Sequence, residues 1–370
     1  MPVSELDRQE LETLKAVVHE AGELALDYFV RSDVRCCDKS KGHPVTEADL
    51  AVNNLIRERL MAARPDYGWL SEETALSNET RTANRVWIVD PIDGTRAFMR
   101  QEPYWCIGLG LLEAGRPRAA AVYAPVLKER FTAIKDGGAF LNGDPIHVTD
   151  CGQEEGCRLI TNEGMLTHPG WQEPWPEVEL ARPKPNATLL RMCWVAAGKF
   201  DAALTLWRKS DWDLAAGVLL VEEAGGVATT HLGEPYVFNR GEPAQRSLLA
   251  AGKALHSLLS ARVKGVRLPD PNWTVRPYER TQPTERQDMG ETDTKQLLHI
   301  VIGGELKDVT DVEFEDLSQI DFVGAFPSYK EAYDAWKGAA QRTVDNAETR
   351  YFILHAHKLL DPETGDHHHV

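Results

Sequence analysis

Val86-Trp87-Ile88-Val89-Asp90-Pro91-Ile92-Asp93-Gly94-Thr95 joins a short apolar run to an acidic turn. The apolar run reads as a buried strand, and the two aspartates follow directly at its C-terminal end. Active-site groups in layered α/β proteins favour such strand ends, because the strand holds them rigidly while the adjoining loops face solvent. Two hard carboxylates on one tight turn can share divalent, oxygen-seeking ions such as Mg²⁺. Gly94 lets a ligand approach the backbone closely, and the residues after it can open a helix whose N-terminus faces a phosphate. Taken alone, Asp-Pro-x-Asp-Gly is also common loop chemistry, so support must come from elsewhere in the chain.

Working outward, Leu11, Leu14, Val17, Val18, Ala21, Leu24 and Ala25 form one helical stripe over 8–30. A second helix is expected from about Thr46 to Ala63, with Leu50, Leu55, Ile56 and Leu60 facing inward. Beyond the acidic turn, 106–112, 119–124 and 130–135 read as strands separated by glycine-containing turns. A Pro- and Trp-rich loop over about 164–186 precedes a helix near 188–198. A further helix over 211–224 stops at Gly225-Gly226, where glycine can take the left-handed cap. Residues 269–294 are polar, contain four prolines and lack periodicity, which predicts a linker between a domain of 1–268 and a small α+β domain of 295–362. In the latter, 297–302, 321–326 and 350–359 read as strands, and Ser328–Glu331 is a capping box opening a helix through Ala340.

The chain of 370 residues is 42% hydrophobic with a formal charge of −16. That composition supports a sizeable core, and the negative charge argues against backbone-driven binding to a nucleic-acid polymer. A small anionic substrate remains compatible, because bound cations invert the local field. Cys36, Cys37, Cys106, Cys151, Cys157 and Cys193 form no CxxC pair and read as reduced thiols of a cytoplasmic protein. The acidic N-terminus does not read as a signal peptide, and no apolar run predicts membrane insertion. No function is assigned to His367-His368-His369. No HxxxH or His/Cys spacing suggests zinc.

Three further acidic stretches lie in the same part of the chain. Glu72-Glu73 follows a short apolar run, and by itself reads as a solvated pair. Thr46-Glu47-Ala48-Asp49 and Ser210-Asp211-Trp212-Asp213 both read as helix caps with Asp49 and Asp213 at the third helical position. A capped carboxylate is also rigidly aimed, which a metal ligand or water-orienting base requires.

In order and spacing, GHPVTEAD (42–49), WLSEET (69–74), WIVDPIDGT (87–95), SDWDLAAG (210–217) and EAGG (223–226) together resemble the inositol monophosphatase superfamily, over about residues 8–265. The resemblance implies a layered αβαβα fold and a Mg²⁺-dependent, lithium-sensitive phosphatase that uses two or three ions on a small phosphorylated substrate. It makes Glu72, Asp90, Asp93 and Asp213 side-chain metal ligands, with Ile92 contributing its carbonyl. Asp49 and Thr95 would activate the attacking water, Glu73 would support the metal site, and Gly94, Thr95 and Thr188 would contact substrate.

Leu70-Ser71-Glu72-Glu73 and Tyr123-Ala124-Pro125 resemble the 3′(2′),5′-bisphosphate nucleotidase branch, implying adenosine 3′,5′-bisphosphate as substrate. Ala187-Thr188 departs from the Gly-Ser pair of that branch, and inositol monophosphate or another sugar phosphate is the alternative. Arg96, Arg100, Arg191 and Lys199 are candidates to meet a second phosphate, although each reads singly as a surface cation. Trp105, Trp171, Trp175 and Trp194 could stack a base, but packing is the better reading of each. A non-catalytic phosphate-binding regulator is the reading from another class, and the complete set of ligands speaks against it. A homodimer stays open, and the C-terminal domain has no assigned partner.

Overall fold

The N-terminal stripe forms α1 (Glu5–Arg31), which buries Leu14, Val17, Val18, Ala21 and Ala25. This computed structural model describes residues 3–31, 36–40, 43–74, 82–167 and 171–266, and 299–305, 316, 320–326, 331–332, 335–336 and 349–355 further on. The chain divides into two compact units, Met1–Thr281 and Gln282–Val370.

After α1, the antiparallel strands β1 (Cys36–Ser40) and β2 (His43–Thr46) lead into α2 (Glu47–Ala63). The Thr46–Asp49 capping box is present. Val52, Ile56 and Leu60 are buried at four-residue spacing. Leu50 was expected to face inward and is instead 48% exposed. It precedes Val52 by two residues, about 200° around the helix from the buried stripe.

Both helices pack on one face of a seven-stranded sheet, in the order β3 (Gly68–Ser71), β4 (Arg85–Asp93), β5 (Cys106–Glu113), β6 (Arg116–Ala124), β7 (Glu129–Ile134), β8 (Gly138–Leu141), β9 (Asp144–Pro145). Only the β3–β4 pairing is parallel, and the short helix α3 (Thr95–Met99) links β4 to β5. A second, five-stranded sheet contains β10 (Arg158–Ile160), β11 (Glu179–Leu180), β12 (Ala202–Thr205), β14 (Gly226–Thr229) and β16 (Leu248–Gly252), in the order β11-β10-β12-β16-β14. Between the sheets lie α5 (Thr188–Ala196) and α6 (Ala215–Glu223). Outside the second sheet lies α7 (Lys253–Lys264). Strand β16 shows the alternation this layering demands: Leu248 and Ala250 join the core with α5 and α6, whereas Leu249 and Ala251 join Leu255 and Leu259 of α7. The architecture is therefore the expected α+β fold, layered αβαβα.

The stretch 164–186 is less irregular than its Pro and Trp content suggests. It holds most of α4 (Glu163–Leu166), and β11 extends the second sheet through the Glu179 and Ala181 amides, which donate to Cys157 O and Leu159 O. The ribbon of β13 (Lys209–Ser210) and β15 (Ala244–Gln245) precedes α6 in space and fixes the entry to it. Helix α6 starts at Ala215 with Leu214 as its cap, so Asp213 precedes the helix and is not its third residue. Buried Asp211 explains the shift. Its carbonyl accepts from the Leu214 and Ala215 amides, and its carboxylate accepts from Asn239 N and Gln245 Nε2, which holds 211–214 as a turn.

In the second unit, β17 (His299–Glu305), β18 (Asp321–Phe326) and β19 (Thr349–His355) form an antiparallel sheet in the order β18-β17-β19. Residues 331–332 and 335–336 are helical, and Trp336 Nε1 donates to Tyr351 O at 2.8 Å. The residues read as a linker, the start of the capping box at Ser328 and the terminal histidines lie outside the described residues. Among the described residues no helix is long and apolar enough to cross a membrane. Cys106, Cys151, Cys157 and Cys193 are free thiols.

Candidate active site

The acidic stretch is not a turn after a strand but the bulged end of β4 itself. Asp90 pairs with Gly108 and Asp93 with Cys106, so three steps along β4 match two along β5. In a regular strand, residues three apart point to opposite faces. The extra residue of the bulge lets Asp90 and Asp93 serve one site. Pro91, which has no N–H to donate, is tolerated at such an irregularity. Gly108 opposite Asp90 provides room: a Cβ there would lie 2.1 Å from Leu189 Cδ1.

Each remaining carboxylate is held by its own local device. The Glu72 amide donates to Val89 O at 3.2 Å and prolongs the β3–β4 pairing to the level of Asp90. Ser71 Oγ donates to Asn53 Oδ1 at 2.6 Å and accepts from the Glu73 amide at 3.3 Å, so Glu72-Glu73 is half-buried and not a solvated pair. Asp49 is buried, and its Oδ2 accepts from Thr46 N at 2.8 Å and Thr46 Oγ1 at 2.6 Å. That leaves Oδ1 to accept from Thr95 Oγ1 at 3.3 Å. Asp213 Oδ2 accepts from Ser210 N at 3.1 Å. Asp93 Oδ2 accepts from the Leu189 amide at 2.5 Å, so this distant side chain caps α5, which lacks a side-chain cap of its own.

The electrostatics show that these groups converge. Asp90 is 1% exposed, and its carboxyl is pushed well above the usual range, first by burial and then by Glu72, Asp93, Asp213 and Asp49. Asp93 is pushed up to about 7, again by burial first and then by Asp213. The Leu189 and Thr188 amides and Lys209 oppose the rise. Among the described residues, no three His, Cys, Asp or Glu side chains close a cage around one point. Mg²⁺ does not require one, since it keeps several waters and takes one or two carboxylates. The fit to divalent cations is tested by Asp90 Oδ1, a buried oxygen without a hydrogen-bond partner amid four other carboxylates. Such an atom is costly to bury unless a cation or proton meets it.

Gly94, at φ +95°, caps α3 in a conformation that favours glycine. Thr95 Oγ1 also lies 3.2 Å from Ile92 O, an alternative acceptor for its single proton, and that carbonyl keeps a second lone pair. Thr188 is 2% exposed in the first turn of α5. Of the candidates for a second phosphate, Lys199 is tied to Glu129, and Arg191 is buried against the carbonyls of Pro185 and Asn186. Trp105 packs between Phe29 and Phe98, Trp171 packs edge-on to Trp175, and Trp194 stacks on Phe200, so the packing reading holds for all four. The sequence reading missed Lys209, whose charge acts on Asp93, and its signal is its place directly before Ser210–Asp213.

Comparison with known proteins agrees with this architecture. Residues 7–267 match the inositol monophosphatase family, and 297–356 match a domain of unknown function (DUF4170). A histidinol-phosphatase of Chlorobaculum parvum is 32% identical, over 70% of this chain and 98% of its own length. An inositol-1-monophosphatase of Caulobacter vibrioides is 31% identical, over 68% and 99%. Among solved structures, the inositol monophosphatase of Thermotoga maritima superposes with a TM-score of 0.58 at 27% identity, covering 70% of this chain and 96% of that one. With its layered fold and its convergent carboxylates at the bulged end of β4, the chain belongs to the inositol monophosphatase family, a family of phosphatases that is generally Mg²⁺-dependent.

Proposed function

We propose that the chain hydrolyses a small soluble phosphate monoester at the Asp90–Thr95 bulge. The observation that carries this reading is the buried carboxylate cluster around Asp90, with the Thr95 hydroxyl hydrogen-bonded to Asp49 beside it. Glu72, Asp90, Asp93, Asp213 and the Ile92 carbonyl are the groups that would hold two or three Mg²⁺ ions, which supply charge neutralisation of the phosphoryl oxygens and the leaving oxygen. Asp49, fixed by the capping box, accepts the Thr95 hydroxyl proton, so the Thr95 oxygen is free to accept a proton from water. The water oxygen attacks phosphorus, the ester P–O bond breaks, and the leaving alkoxide takes a proton from solvent water to become the alcohol. The Gly94 and Thr95 amides orient the phosphate, Glu73 supports the ligand cluster, and Thr188 borders the organic part of the substrate.

The finer reading is release of the 3′-phosphate of adenosine 3′,5′-bisphosphate. The residues that first suggested it do structural work: Ser71 holds Asn53, and the Tyr123 ring packs on α1 at 5.7 Å from His19. Inositol monophosphate is the alternative, supported by the names of several relatives. Phosphate release from adenosine 3′,5′-bisphosphate, inositol 1-phosphate and fructose 1,6-bisphosphate, with Mg²⁺, with chelator and with Li⁺, tests both. Turnover that stops on chelation supports the proposal. Tight binding of these esters without turnover would point to a phosphate-binding regulator and overturn it.

A further inference from the structure

We propose that Arg191 is a positioning residue for the substrate: it fixes the backbone of 185–187 in front of α5, and so sets where the first turn of that helix meets the organic half of the ester. This inference rests on the phosphatase reading and deepens it. The segment has few anchors of its own. Pro183 and Pro185 have no N–H to donate, and Ala187, at the cap of α5, has no side-chain oxygen to bond the amides behind it. Arg191 supplies the hold from within the helix. Its Nε donates to Pro185 O at 2.7 Å and its Nη2 to Asn186 O at 3.2 Å, while its own amide donates to Ala187 O at 3.3 Å. One residue thus holds three successive carbonyls.

What this segment touches ties it to the site. Ala187 is buried, and a Cβ added to Gly94 would lie 3.2 Å from the Ala187 Cβ, so the segment packs directly on the Asp90–Thr95 bulge. Two residues on, the Leu189 amide donates to Asp93 Oδ2 at 2.5 Å. Thr188, assigned above to the organic part of the substrate, sits between these two contacts. Releasing 185–187 therefore frees the approach to Thr188 while Leu189 stays tied to Asp93. Arg191 is 7% exposed, and burial draws its guanidinium below the usual range, with Asp93 the carboxylate that opposes the fall. Filling this space with a buried cation on neutral carbonyls is costly, and an apolar side chain of similar length would fill it at less cost. The planar fork of donors is what neither an apolar side chain nor a lysine supplies.

The test compares the native full chain with Arg191→Met and Arg191→Lys in Mg²⁺, measuring kcat, KM and inhibition by inorganic phosphate. Adenosine 3′,5′-bisphosphate and inositol 1-phosphate are the substrates. Inorganic phosphate can occupy the bulge but has no organic half. Arg191→Met should raise KM for the ester turned over by about tenfold, with a smaller change in kcat and unchanged inhibition by phosphate. Arg191→Lys keeps the charge without the fork. It should raise KM as well, and it carries the comparison if Arg191→Met does not fold. A purely structural role would lower the melting temperature and leave KM as it is. An unchanged KM, or phosphate inhibition that weakens in step with KM, overturns the assignment. If the native chain turns over neither ester, the phosphatase reading fails separately. Calorimetry with the same esters and phosphate then decides: weaker ester binding by the variant with equal phosphate binding supports the positioning role, and equal or absent ester binding overturns it.

Discussion

Strand β4 has buried carboxylates at both ends, and the two ends treat them in opposite ways. At its start, Asp7 of α1 accepts from Arg85 at 3.0 Å and Arg118 at 2.5 Å, while Glu10 accepts from Arg64 at 2.7 Å and Tyr67 at 2.9 Å. Burial alone would raise the Asp7 carboxyl, but hydrogen bonds from Arg118 and Ser4 and the charges of Arg118 and Arg85 hold it below the usual range. At the other end, Asp90 and Asp93 face further carboxylates, and both are raised. One end is neutralised by the protein's own arginines and is structural. At the other, the raised Asp90 and Asp93 carboxyls fit the proposed binding of cations from solution.

The largest effect expected from this contrast is on catalysis. Asp93→Asn should lower kcat/KM about 10²–10³-fold in Mg²⁺, with the fold intact, because the amide oxygen can still cap α5. Thr95→Ala should lower it about a hundredfold, since Asp49 loses the hydroxyl through which it reaches water. Asp7→Asn should leave turnover intact and destabilise the fold by about 2–3 kcal/mol in denaturant titration, because Arg85 and Arg118 lose their shared charge. Smallest of all, Leu50→Gln should shift stability by less than about 0.5 kcal/mol, as its side chain is half in solvent.

Much of this was legible in the sequence because it is local. The Leu14–Ala25 stripe, the Thr46–Asp49 capping box and the apolar run before Asp90 each follow from spacing alone. What spacing could not show depends on distant partners. The bulge exists only relative to β5, and the delayed start of α6 depends on Asn239 and Gln245 holding Asp211.

We propose that the buried Asp90 and Asp93 carboxyls, raised by burial and by the carboxylates around them, serve to bind Mg²⁺. Burial and Asp213 push the Asp93 carboxyl up to about 7, against 3.8 ordinarily. Between those values the folded state binds the extra proton, so this contribution to stability is present below the lower value and lost as pH rises through the upper one. Mg²⁺ needs the deprotonated form and should restore what is lost. The direct measurement is the melting temperature with and without Mg²⁺ from about pH 5 to about pH 8. A Mg²⁺-induced rise that grows with pH in the native chain and is strongly reduced in Asp93→Asn is expected. A rise that is absent, or the same at every pH and in both proteins, would contradict Mg²⁺ binding by these carboxylates.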